Sequence, residues 1–178
     1  IVDAFKCAVA FSAHFSRPGA HDCFAVEYDI NAVYIVLHGE TQAVQQIVGE
    51  VSKTYSQIGR NPYEGVTIDF EGLRAPQKEA FSDFLRQLQP ALQKLDKKLL
   101  VCVPPVLTTS AYYDGYDYRA IGELADREIL MAYGYGPQNM TGFTGTEYYK
   151  TAATTPIASV YTALKYGVSE IAPSKLLL

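Results

Sequence analysis

Across Glu64, Gly65, Val66, Thr67, Ile68, Asp69, Phe70 and Glu71, apolar Val66, Ile68 and Phe70 alternate with polar Thr67, Asp69 and Glu71. On a strand, a period of two places the three polar side chains on one face. If that face met ordinary core, two carboxylates would lose their water at a cost of several kcal/mol each unless paired or neutralised. A solvated strand end would accommodate them without any chemistry. The alternative is a site that uses them: of two like charges held close together, one keeps its proton to higher pH, and a protonated carboxyl can donate to a leaving group.

Other reactive residue types show no comparable pattern. His14 and His21 fall in a stretch with Pro18 and Gly19 that reads as loop, His38 ends an apolar run, and the three have no zinc spacing. No metal is assigned. The glycines at 39, 115, 134, 136, 142 and 145 are spaced for turns, and none forms a phosphate-binding G-x-G-x-x-G after a strand, so no cofactor is indicated. Cys7, Cys23 and Cys102 are an odd number at no metal-like spacing. They read as structural: Cys102 sits in an apolar strand pattern, and a Cys7 to Cys23 disulfide is left open.

Composition narrows the class. With 48% hydrophobic residues in 178, the chain can bury one core, so residues 1–178 read as a single domain. A net charge of −4 from scattered residues offers no basic stripe for a phosphate backbone, which argues against nucleic acid as a partner. No apolar run approaches the roughly 20 residues of a membrane span, and no charged leader precedes an apolar segment. Fourteen tyrosines and eight phenylalanines stand against no tryptophan. Tyr offers a stacking face and a hydroxyl, which suits sugar as well as core packing.

The elements that must position the acids follow from periodicity. Short β-branched runs at Ala32 to Leu37, Val66 to Phe70, Leu99 to Val103 and Glu128 to Tyr133 alternate with amphipathic stretches at Thr41 to Ile58 and Pro76 to Leu95. Pro76 suits a first helical turn, whereas Pro90 predicts a break or bend. Tyr118 to Leu124 and Ile157 to Tyr166 predict further helices, Val2 to Phe11 a strand, and Lys175 to Leu178 a strand cut short. Repeated βα units define an α/β fold of the (β/α)8 barrel type, with about six strands where a full barrel takes about 250 residues. The expectation is a fragment or a reduced barrel. In such a barrel catalytic groups collect at the C-terminal ends of strands, where Asp69 and Glu71 would lie.

The run Gly65 to Glu71 resembles the D-G-x-D-x-D-x-E signature of glycoside hydrolase family 18, which includes chitinases and related cell-wall and spore-cortex N-acetylglucosaminidases. Asp69 and Glu71 occupy its last two acidic positions, Glu64 stands at its first Asp, and Thr67 stands at its second, often Asn in the cell-wall branch. Leu99 to Pro105 resembles the family's fifth strand, and Tyr116 to Asp126 before Ile129 to Tyr133 resembles its sixth. The resemblance runs from about Ala32 to Leu178.

That resemblance implies a retaining glycosidase in which the substrate's own N-acetyl oxygen attacks the anomeric carbon. Glu71 would protonate the glycosidic oxygen and later activate water. Asp69 would hold the acetamido N–H and stabilise the oxazolinium intermediate, and Thr67 would orient Asp69. In the family's Met-x-Tyr-Asp motif, Met131 and Tyr133 match and Gly134 replaces Asp. Tyr133 would support the acetamido group, Met131 would line the sugar site, and Tyr135 is a candidate to replace the lost Asp. Tyr112, Tyr113, Tyr116 and Tyr118 lie around the loop after the fifth strand, and about half of them are expected to stack on sugar.

The implied partner is an N-acetylglucosamine-containing polysaccharide, with peptidoglycan favoured over chitin. The implied location is extracellular, cell-wall or spore associated, with flanking wall-binding domains an open question. Gly134 and Thr67 also permit a catalytically silent carbohydrate-binding protein, and open barrel edges permit a structural piece of a longer surface protein.

Overall fold

The computed structural model describes residues 6–10, 30–31, 40–53, 63–107, 113–135, 141–147, 153 and 155–178. The expected strand at 32–37, the loop at 14–22, all three histidines, Cys23 and Tyr112 lie outside these residues.

Six strands form one sheet in the order β2-β1-β3-β4-β5-β6. They are β1 (Lys6–Ala10), β2 (Ile30–Asn31), β3 (Gly65–Asp69), β4 (Lys98–Val103), β5 (Arg127–Leu130) and β6 (Leu176–Leu177). Neighbours from β3 to β6 are parallel. Among the described residues, the helices that join them are α2 (Lys78–Gln93), α3 (Tyr118–Leu124) and α4 (Ile157–Glu170). A fourth helix, α1 (Glu40–Val51), precedes β3 and packs on α2. This is the βα repeat of a partial (β/α) barrel.

The early strands depart from it, because β1 pairs antiparallel with both β2 and β3. Alternating side chains read the same in either strand direction, so a sequence pattern carries no signal for this reversal.

Alternation divides β3 as its residues require. Val66, Ile68 and Phe70 are buried, and Phe70 meets Phe81 and Phe84 of α2 at ring-centroid distances of 5.6 and 5.4 Å. Leu85, Leu88 and Leu92 continue that stripe of α2, with Ala43, Val44, Ile47 and Val51 of α1 in the same core. Thr67, Asp69 and Glu71 therefore take the opposite face of β3, away from the helices. Gly65 is required at the strand's start: a Cβ there would lie 2.4 Å from the Lys98 carbonyl oxygen of β4.

Helix α2 starts after a 3₁₀ turn, Ala75–Gln77, in which the Arg74 N–H donates to Gln77 Oε1 at 2.9 Å. Of the break or bend expected at Pro90, a break is absent: the helix continues to Gln93. Pro90 and Arg86, whose carbonyl loses its partner, both lie on the exposed face, where water can take that carbonyl. The end comes instead at Asp96, whose φ of 54° is left-handed. There the Lys97 N–H donates to Leu92 O at 3.0 Å and the Asp96 N–H to Gln93 O at 3.1 Å, closing the last turn.

Helix α3 begins where its N-cap residue dictates: the Asp117 carboxylate accepts from the Ala120 N–H at 3.0 Å. At its other end Lys175 Nζ donates to the carbonyls of Gly122 and Ala125, at 2.7 and 2.8 Å. Strand β5 is shorter than the expected Glu128 to Tyr133. After the Met131 N–H bonds Val103 O at 3.0 Å, the next two N–H groups turn back to Leu130 O and Met131 O. Helix α4 runs four residues beyond Tyr166.

Candidate active site

The polar face of β3 emerges at the C-terminal edge of the parallel sheet. Glu71, Gly72, Pro104, Pro105, Tyr116, Met131 and Tyr133 line an open cleft of about 250 Å³ there, supplied by the segments that follow β3, β4 and β5. Pro104 and Pro105 have no N–H to offer a further ladder partner, so β4 ends at the cleft.

Glu71 is exposed at the cleft, one residue beyond buried Phe70. Asp69 lies one step deeper and is half-buried. Its carboxyl is held above the usual carboxylate range, first by burial and then by the charge of Glu71, while a hydrogen bond from the Cys102 thiol works the other way. Register explains the thiol: Ile68 is opposite Val101, so the next residues along β3 and β4 are Asp69 and Cys102, on the same face. Cys102 is buried and reduced, and its thiol is pushed up to about 12, by burial foremost and then by the Asp69 charge beside it. Reading Cys102 as structural from its apolar strand was right about burial, but nothing in that pattern marks its contact with Asp69.

Tyr133 is 62% exposed at the cleft. Its hydroxyl is shifted upward by partial burial, then by Cys102, Asp69 and Glu71, which places it within electrostatic reach of the acid pair. Met131 lies beside it. Thus Asp69 at the end of β3, Glu71 just beyond it, and Met131 and Tyr133 just beyond β5 converge at one end of the sheet. Thr67 is buried below Asp69 on the same face of β3 and does not line the cleft. Tyr135 packs partly buried against the core, with its hydroxyl buried and without a hydrogen-bond partner.

The described tyrosines near the loop after β4 pack inward. Tyr116 and Tyr118 are buried and donate to the carbonyls of Phe70 and Pro104, and Tyr113 packs partly buried against the core. Gly134 has a left-handed φ of 68° and open space where a Cβ would point. Among the described residues, no group of three or more His, Cys, Asp or Glu is arranged to hold a metal ion.

Paired acids at the C-terminal end of a parallel strand, in a cleft shared with a Tyr that follows β5, two strands along the sheet, match where barrel hydrolases collect their catalytic groups. The chain matches the glycosyl hydrolases family 18 over residues 31–178 and belongs to that family. It is 27% identical over 146 residues to the putative sporulation-specific glycosylase YdhD of Bacillus subtilis, covering 78% of this chain and 33% of the relative. To the cortical fragment-lytic enzyme of the same organism it is 25% identical over 147 residues, 81% of this chain and 31% of that one. The chain thus spans about a third of the length of these curated relatives.

Solved structures agree. The crystal structure of YdhD superposes with a TM-score of 0.64 at 27% identity, over 82% of this chain and 44% of that one. The spore cortex-lytic enzyme SleL of Bacillus megaterium gives 0.61 at 28%, over 78% and 28%.

Proposed function

We propose that the protein hydrolyses β-linked N-acetylglucosamine-containing glycans, with peptidoglycan of the spore cortex or cell wall as its substrate class. The observation that carries this reading is the acid pair: half-buried Asp69 and exposed Glu71, two residues apart at the C-terminal end of β3, with Tyr133 at the same cleft. Membership in family 18 supports the chemistry, and the named activities of the cortical fragment-lytic and spore cortex-lytic relatives support the substrate class.

In this mechanism Glu71, at the cleft mouth, donates a proton to the glycosidic oxygen. The 2-acetamido oxygen of the substrate attacks the anomeric carbon and the C–O bond to the leaving sugar breaks. Asp69 accepts the acetamido N–H and offsets the positive charge of the oxazolinium. Glu71, now a carboxylate, takes a proton from the water that opens this intermediate with net retention. Tyr133 supports the acetamido group and Met131 bounds the sugar. Thr67, beneath Asp69, orients it, while Tyr112, Tyr113 and Tyr135 are secondary candidates for glycan contact. A location outside the cell, at the wall or spore, follows from that substrate, and wall-binding domains would suit a larger protein.

The test is to incubate the protein and its Glu71→Gln variant with N-acetylglucosamine oligomers and purified peptidoglycan, and to follow products by mass spectrometry. Cleavage by the parent alone supports the reading, and cleavage that persists in the variant sinks it. Gly134, at the family's Asp position, favours a second reading: a carbohydrate-binding protein without turnover. Glycan binding by both proteins with no products from either would establish that instead.

A further inference from the structure

The segment that carries Glu71 is gripped from a part of the chain more than 40 residues away. Tyr116 is 3% exposed, and its hydroxyl donates to the carbonyl oxygen of Phe70, part of the peptide that links Phe70 to Glu71. Its ring meets Phe81 edge-on at 5.8 Å, and Phe81 in turn packs on the Phe70 ring, so Tyr116 reaches Phe70 directly through its hydroxyl and indirectly through Phe81. One residue earlier, Gly115 lies directly on the backbone after Glu71: a Cβ there would be 2.3 to 2.5 Å from Leu73 C, Leu73 O and Arg74 N, a space only glycine fits. One residue earlier again, Asp114 takes a forked ion pair from Arg74, with Nε to Oδ1 at 2.9 Å and a terminal nitrogen to Oδ2 at 3.3 Å. Asp69 is itself fixed in the ladder opposite Ala8. Glu71 and Gly72, with its left-handed φ of 73°, are the short span left between these anchors.

We infer that Tyr116, backed by the Gly115 and Asp114 contacts, is a positioning residue that sets where the Glu71 carboxyl stands relative to Asp69. A strand that ends at Asp69 leaves the next peptides free to rotate, and rotation about the Phe70 to Glu71 peptide swings the Glu71 side chain across the cleft. A hydrogen bond to the Phe70 carbonyl fixes the plane of that peptide, since a peptide is rigid and its carbonyl direction defines it. Placement matters steeply here, because a misplacement of about 1 Å in a reacting group can cost on the order of a hundredfold in rate. The inference rests on Glu71 as the proton donor for its catalytic meaning, but not for its test.

The readout is the titration of Asp69 followed by carboxyl-labelled NMR in the parent, Tyr116→Phe, Glu71→Gln and the double variant. The Glu71 charge contributes to the upward shift of Asp69. Releasing Glu71 should therefore lower the Asp69 midpoint by about 0.3 to 0.5 pH unit, a two- to threefold change in its ionisation equilibrium. The same substitution should do nothing when Glu71 is already Gln. Tyr118→Phe, which loses a bond to Pro104 instead, is the control and should leave Asp69 unmoved. An Asp69 midpoint unchanged by Tyr116→Phe in a folded protein overturns the inference, as does an equal shift in the Glu71→Gln background. Should Tyr116→Phe not fold, Asp114→Asn loosens the same loop at the surface, and the same two outcomes decide. Where the parent turns over glycan, Tyr116→Phe should lower kcat about tenfold with KM unchanged. A parent that titrates as described but cleaves nothing would refute the glycosidase reading and leave the positioning role standing.

Discussion

The thiol of Cys102 on β4 donates a hydrogen bond to the carboxylate of Asp69 on β3, so the deeper of the two acids is held from the neighbouring strand. Three influences meet on Asp69: burial and Glu71 favour its protonated form, and the thiol favours its charged form. The coupling runs both ways, since the Asp69 charge discourages the Cys102 thiolate.

A first prediction follows for the thiol. With its ionisation pushed up to about 12, Cys102 should alkylate very slowly with iodoacetamide at pH 9 in the folded protein, because the thiolate is the nucleophile. Burial, the larger cause, persists in Asp69→Asn, but the charge is gone, so its alkylation should be about three- to tenfold faster. Peptide-mapped mass spectrometry separates Cys102 from the other two cysteines. Equal rates in parent and variant would show that the Asp69 charge does not reach the thiol.

How much of this was legible in the sequence depends on the range of the interaction. Alternation along Val66 to Glu71 placed the acids on one face, because side-chain direction is a local property of a strand, and the α2 stripe through Phe81, Phe84, Leu88 and Leu92 was legible for the same reason. The convergence of Met131 and Tyr133 with the acids was visible only through family resemblance. The grip of Tyr116 on Phe70 spans 46 residues and leaves no period, so this tyrosine read as one of a cluster available to stack on sugar. The antiparallel direction of β1 was hidden because alternation has no polarity. Whether Pro90 ends the helix was not legible, because its cost depends on which face the freed carbonyl takes, and that is set by packing.

A second prediction concerns Gly134. Its φ of 68° is a conformation that Asp and Asn adopt more readily than other side chains, and a Cβ would meet nothing within 4 Å. Gly134→Asp should therefore fold, with a melting temperature within a few degrees of the parent. It would restore the family's Met-x-Tyr-Asp motif beside Tyr133. If the substrate class is right, kcat/KM on N-acetylglucosamine oligomers should rise by about tenfold or more, the equivalent of one polar contact of 1 to 3 kcal/mol. Gly134→Ala, which also forces a side chain into the left-handed region but cannot make that contact, should show no gain. A gain in both would trace the effect to the backbone rather than to a restored carboxylate.

The last prediction turns on Glu128, whose side chain points into the layer between sheet and helices. It is 0% exposed, both carboxylate oxygens are without a hydrogen-bond partner, and a Cβ on Gly122 would lie 2.8 Å from its Oε1. Burial drives its ionisation up to about 8, opposed by the nearby charge of Lys175, whose ammonium is spent on the carbonyls of Gly122 and Ala125. The sign follows from linkage. Unfolded, Glu128 releases its proton near 4.5, and folded only near 8, so between those values the folded state binds the extra proton. Its ionisation therefore costs nothing below about 4.5, costs progressively more stability as pH rises, and reaches its full effect above about 8. Glu128→Gln keeps the shape and removes the ionisation. Its melting temperature should match that of the parent at pH 4.5 and exceed it at pH 8.5 by about 5 to 10 °C, corresponding to a few kcal/mol. Thermal melts of both proteins across that range check it. A difference that does not grow with pH would mean that Glu128 finds water or a partner as it ionises.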